Sequence, residues 1–148
     1  MHRLGITIKC VILKGHLYIM IKVTELMIND WVSINDSNYK VKNIKKKGVI
    51  KLYEDTQWGE HEIDFNTDSL EDVLQPIPLT EEILEKNGYK RGLLIREYKI
   101  SDGLHYDLEG GLLLFGHEYG TVLEIKCNYV HEFQHLLKLC KIEKEIVL

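Results

Sequence analysis

Tyr129-Val130-His131-Glu132-Phe133-Gln134-His135-Leu136-Leu137-Lys138-Leu139-Cys140 is the strongest helix signal in the chain and the only stretch with a catalytic pattern. At 3.6 residues per turn, Tyr129, Val130, Phe133, Leu136, Leu137 and Cys140 share one broad apolar face. His131, His135 and Lys138 gather on the opposite side. A helix divided in this way needs an apolar surface to lie on, and the preceding residues supply one. Strands are predicted at 93–100, 104–109, 112–115 and 121–127, parted by Ser101-Asp102-Gly103, Gly110-Gly111 and Gly116-His117-Glu118-Tyr119-Gly120. Leu104, Tyr106 and Leu108 alternate with His105, Asp107 and Glu109, and Leu123, Ile125 and Cys127 repeat the pattern, so one face is dry and one wet. A four-stranded antiparallel meander covered by a C-terminal helix follows. Residues 142–148 read as a further strand or a fraying end.

Upstream of the meander, Thr80 is placed to cap a short helix, with Glu81 and Glu82 where the helix dipole favours negative charge. Ile83 and Leu84 give that helix a buried side, and Asn87-Gly88 stops it. Pro76 and Pro78 close the module before it, since proline cannot donate to a central ladder. Within that module, Trp31-Val32-Ser33-Ile34 and Tyr39-Lys40-Val41-Lys42-Asn43-Ile44 flank the polar cluster Asn35-Asp36-Ser37-Asn38, a hairpin signal. Val49-Ile50-Lys51-Leu52-Tyr53, His61-Glu62-Ile63-Asp64-Phe65 and Val73-Leu74 continue the run of short strands. Such spacing predicts a small barrel of the Src-homology-three type over residues 23–79. The expected fold class is therefore α+β: that barrel, then a helix, the meander and the covering helix.

The 148 residues suffice for one domain, or for two small modules. A net charge of −4 argues against wholesale attraction to nucleic acid or to an anionic membrane. Cys10, Cys127 and Cys140 show no paired spacing and read as free thiols of a reducing compartment. Residues 4–23 are apolar, but Lys9, Lys14 and Lys22 interrupt them well short of the ~20 residues of a membrane span. They read either as a hairpin turning at Lys14-Gly15 or as a leader upstream of Met20.

From Met20 onward the chain resembles a family of small proteins common in gut Bacteroidales genomes and their phages. The resemblance rests on Glu25-Leu26-Met27-Ile28-Asn29-Asp30-Trp31-Val32, on Pro76-Ile77-Pro78-Leu79-Thr80-Glu81-Glu82-Ile83-Leu84-Glu85-Lys86-Asn87-Gly88-Tyr89 and on Tyr129-Val130-His131-Glu132-Phe133-Gln134-His135-Leu136. Similar proteins begin near Met20, which favours reading residues 1–19 of the segment 1–22 as an upstream leader rather than part of an extra hairpin. Asn29 and Lys141 stand where glycine is usual in them, and residues 132 and 135 often differ. The resemblance implies an accessory or host-interaction factor of a phage or mobile element, and it transfers no activity.

Two candidate sites remain. His131 to His135 spell H-E-x-x-H, in which His131 and His135 would bind zinc and Glu132 would activate water, as in a metallopeptidase. A third ligand is needed, and only 13 residues follow His135. Glu143 and Glu145 lie too close along the chain, and His61, His105, His117 or Glu118 would serve only in an unusual arrangement. The solvated polar face of a structural helix is the preferred reading, with no catalytic residue, metal or cofactor. Lys40, Lys42, Lys45, Lys46, Lys47 and Lys51, with Trp31, Tyr39 and Tyr53 nearby, form a basic patch that suits either nucleic acid or a protein partner. The expectation is a cytoplasmic, non-enzymatic, protein-binding chain without membrane contact. Nucleic-acid binding and zinc peptidase activity are its alternatives.

Overall fold

The computed structural model describes residues 9–13, 16–21, 25–45, 48–56, 59–70, 73–92, 97–117 and 120–148. The chain divides into two compact units, Met1–Ile77 and Pro78–Leu148.

The first unit opens with an antiparallel pair, β1 (Lys9–Leu13) and β2 (His16–Met20), whose expected turn at Lys14-Gly15 lies outside the described residues. Ile21, just after β2, is buried, and its amide donates to the Leu74 carbonyl over 3.1 Å. The strands β3 (Trp31–Ile34), β4 (Ser37–Lys45), β5 (Val49–Thr56) and β6 (Gly59–Asn66) then run as successive antiparallel hairpins. A single turn of helix, α1 (Thr67–Leu70), leads to β7 (Leu74–Gln75), which pairs with β3. The hairpin β3–β4 turns on Asn35 and Asp36, with φ of 48° and 64°. Two consecutive left-handed residues fit the twist of a two-residue loop, and asparagine and aspartate tolerate them best after glycine.

The sheet order is β6-β5-β4-β3-β7, open at both ends, which corrects the expected barrel. β7, at the other end of the sheet from β6, is only two residues long, and among the described residues no β6–β7 ladder closes the sheet. Glu60, His61 and Glu62 on β6 are all exposed, so this end of the strand has no face to turn into a barrel interior. The dry face instead packs Val32, Ile34, Val41, Ile50 and Leu52 against Ile21, Leu26, Leu70 and Leu74. Short strands and frequent turns are common to open and closed sheets; only the pairing of the edges differs.

The second unit begins with α2 (Glu81–Lys86), capped as expected by the Thr80 hydroxyl, which accepts from the Ile83 amide at 3.4 Å. The sheet that follows has five strands rather than four: β8 (Lys90–Arg91), β9 (Glu97–Ser101), β10 (Leu104–Asp107), β11 (Leu112–His117) and β12 (Gly120–Lys126), in the order β12-β11-β10-β9-β8. Residues 93–96, expected as the start of the first meander strand, lie outside the described residues. The close turn after β9 requires Gly103, whose φ is 72° and where a Cβ would come 2.7 Å from the Gly116 carbonyl oxygen.

The covering helix is α3 (Val130–Leu139). Phe133 is fully buried, with its ring centroid 5.6 Å from that of Tyr89 and 5.9 Å from that of Tyr106. The helix is turned relative to the expected face. Val130, His131, Phe133, Gln134 and Leu137 are buried, while Leu136 and Cys140 are only half-buried. Its end and that of α2 are built alike. Tyr89 N–H bonds the Leu84 carbonyl and Gly88 N–H that of Glu85; Ile142 N–H bonds Leu137 and Lys141 N–H bonds Lys138. This is the Schellman arrangement, with Gly88 (φ 76°) and Lys141 (φ 56°) in the left-handed position. No helix among the described residues is long and apolar enough to cross a membrane.

Candidate functional site

Glu132, the residue that would activate water in a zinc site, is occupied at the start of its own helix. Its Oε2 accepts from the Asn128 amide at 2.8 Å and from the Tyr129 amide at 3.2 Å. These N–H groups belong to the residues entering the helix, so the carboxylate supplies the reciprocal arm of a capping box and meets the positive end of the helix dipole. His131 is 6% exposed, against the expectation of a solvated position, and its ring stacks on Tyr129 with centroids 6.1 Å apart and planes 13° apart. Its position is physically reasonable, since Gln134 and His131 border the stripe led by Val130 and Leu137. His135 is half-buried, with its ring edge-on to that of His131 at 5.9 Å.

Of the residues weighed as third ligands, His105 Nδ1 lies 2.8 Å from Glu97 Oε1, His61 is exposed, and Glu143 and Glu145 are exposed on the tail. Glu118 and the side chain of His117 lie outside the described residues. Among the described residues no three of His, Cys, Asp and Glu converge as a metal site. Cys127 is a buried free thiol, raised in pKa by burial and by nearby Glu132, and Cys140 is a half-buried one.

Lys40, Lys42, Lys45 and Lys51 lie on the wet face of the sheet of the first unit. Register sets Trp31 opposite Lys40, Lys40 opposite Tyr53, and Tyr53 opposite Glu62, in one row across four strands. Lys40 Nζ stands 5.7 Å from the centroid of the Trp31 ring. A bulge between Val41 and Asn43 turns Lys42 onto the same face, 4.9 Å from the Tyr53 centroid. Lys45 Nζ bonds Asp64 Oδ2 at 2.7 Å and Lys51 Nζ bonds Glu62 Oε2 at 2.9 Å. The Lys45 ammonium holds the Asp64 carboxyl below its ordinary pKa, and the hydrogen bond that Lys51 donates to Glu62 lifts the pKa of Lys51. Lys46 and Lys47 lie outside the described residues.

The carboxylates of β6 are thus part of this surface, which the sequence reading of the lysines passed over. Their signal was the alternation Glu60-x-Glu62-x-Asp64 in the strand next to Lys51. Comparison with protein-family models, with curated proteins and with solved structures finds no match to the chain.

Proposed function

We propose that the chain is a non-enzymatic binding protein that acts through protein–protein contacts on the wet face of its first sheet. The observation that carries this reading is the charge balance of that face. Lys45 and Lys51 are matched by Asp64 and Glu62, and Lys40 and Lys42 lie over the rings of Trp31 and Tyr53. A polyanion is held by cations free to replace its counterions. A folded partner is held by aromatic anchors within a mixed polar surround, which this surface offers. The employment of Glu132 as a helix cap supports a structural role for the histidine motif.

The resemblance noted above further supports a cytoplasmic accessory or host-interaction factor of a phage or mobile element. Affinity capture from the native host, compared between wild type and a Trp31→Ser/Tyr53→Ser variant, tests the proposal. One partner retained by wild type and lost by the variant is the expected result. Binding to DNA or RNA that falls steeply between low and moderate salt would instead favour the nucleic-acid alternative.

A further inference from the structure

We infer that β12 is a self-association edge, on which two copies of the chain join their second sheets around a two-fold axis at Ile125. β12 ends the sheet order of this unit. The Cys127 amide donates to the Gly111 carbonyl over 2.8 Å, and this bond continues the register in which Ile125 faces Leu113 and Leu123 faces Phe115. In an antiparallel ladder, alternate residues direct both main-chain groups to the same neighbour. Leu123, Ile125 and Cys127 therefore direct theirs to β11, and Glu124 and Lys126 direct theirs outward.

A second copy running antiparallel meets those outward groups with its own. With Ile125 on the axis, Glu124 of one copy stands opposite Lys126 of the other, twice over, and each pair exchanges two main-chain hydrogen bonds. Sliding one copy by two residues along the other sets Glu124 against Glu124 or Lys126 against Lys126, which is repulsive. Charge thus selects one register. The dry face agrees with it. The two Ile125 side chains become neighbours, and Leu123, 51% exposed in the single chain, gains apolar company from the second copy.

The long edge strand of the other sheet is built differently. On β6, Glu60, Glu62 and Asp64 occupy one face, so joining two copies with that face in common sets carboxylate against carboxylate. That edge is guarded, as exposed edges generally are; β12 is complementary to itself.

Sedimentation equilibrium of the full chain over a wide concentration range tests the proposal. A reversible monomer–dimer equilibrium is expected. Lys126→Glu shifts it to monomer, and the double variant Glu124→Lys/Lys126→Glu, which restores opposite charges, recovers the dimer. Both side chains are exposed, so circular dichroism and thermal melting should match wild type. Independently, Ile125→Cys should give a disulfide-linked dimer with diamide, because a non-hydrogen-bonded pair holds its Cα atoms at about 4.5 Å, within disulfide reach. Peptide mapping identifies the bridge. A monomer at every concentration, a dimer indifferent to Lys126→Glu, or a double variant that stays monomeric would overturn the inference.

Discussion

Asn87 holds Val147 by both main-chain groups: Nδ2 donates to the Val147 carbonyl at 2.8 Å, and Oδ1 accepts from the Val147 amide at 2.9 Å. The same Nδ2 also donates to the Ile83 carbonyl at 2.7 Å. One side chain thereby closes α2 and docks a segment 60 residues away. Lys86 reinforces it by donating to the main-chain oxygen of Leu148, and Ile146 is buried beside it. The segment 142–148 is therefore a bound tail. Asn87→Ala should cost about 1–3 kcal/mol in urea unfolding, because the partly enclosed groups it served lose their partners. Hydrogen exchange at the Val147 amide should accelerate in the same variant.

Phe133 lies between the rings of Tyr89 and Tyr106, so Phe133→Ala should destabilise by about 3–5 kcal/mol. The two histidines of α3 should separate in the same assay. His131→Ala, at a buried site, should cost about 1–2 kcal/mol, and His135→Ala, half-exposed, about 0.5 kcal/mol or less.

Glu132 can be tested by the shape of its replacement. As a cap for the Asn128 and Tyr129 amides, it should tolerate glutamine better than alanine, since an amide oxygen still accepts. Glu132→Ala should cost about 0.5–2 kcal/mol and Glu132→Gln less than half as much. Thermal melting of both variants measures the order.

Lys141 occupies a left-handed position at φ 56°. A side chain there carries a steric cost that glycine avoids, partly offset by the greater freedom of glycine in the unfolded chain. Lys141→Gly should therefore stabilise by about 0.5–1 kcal/mol, read as a raised denaturant midpoint.

Burial lifts the Tyr89 hydroxyl to about 12, and among the described residues that hydroxyl has no hydrogen-bond partner. Burial also pushes up Tyr106 and Cys127, with nearby negative charge adding to both. Each group keeps its proton in the folded chain at a pH where the unfolded chain has released it. Stability from these three is complete below about pH 9 and is lost as the pH climbs towards 12. Unfolding midpoints across that range should fall steadily, and the tyrosinate absorbance removed by Tyr89→Phe and Tyr106→Phe should be the portion that appears late, together with unfolding.

These sites differ in how far the sequence exposes them. Thr80 and Asn87-Gly88 announce the ends of α2 because a cap is satisfied within a few residues. The hairpin at Asn35-Asp36 is legible for the same reason. The second role of Asn87 is not, because nothing local marks Val147 as its partner. Lys45 and Lys51 read as a basic patch until the register sets β6 beside them. Closure of a barrel is also a relation between distant strands, so the spacing of residues 23–79 fits a closed barrel as well as the open sheet in which β6 and β7 stand at opposite ends. On α3, counting apolar residues favoured Leu136 and Cys140, whereas the surface beneath receives Gln134 and His131.

In both five-stranded sheets nearly every strand pairs with the one just before it, and among the described strands β7 alone returns across the chain, to reach β3. Ladders made between sequence neighbours need only short loops to close, so each strand can be added while the chain is still being synthesised. β7 can reach β3 only after the residues between them have been synthesised. Unit one should accordingly gain its hairpins early and become cooperative only when Leu74 arrives, sealing Ile34 and Ile21 in a single late step.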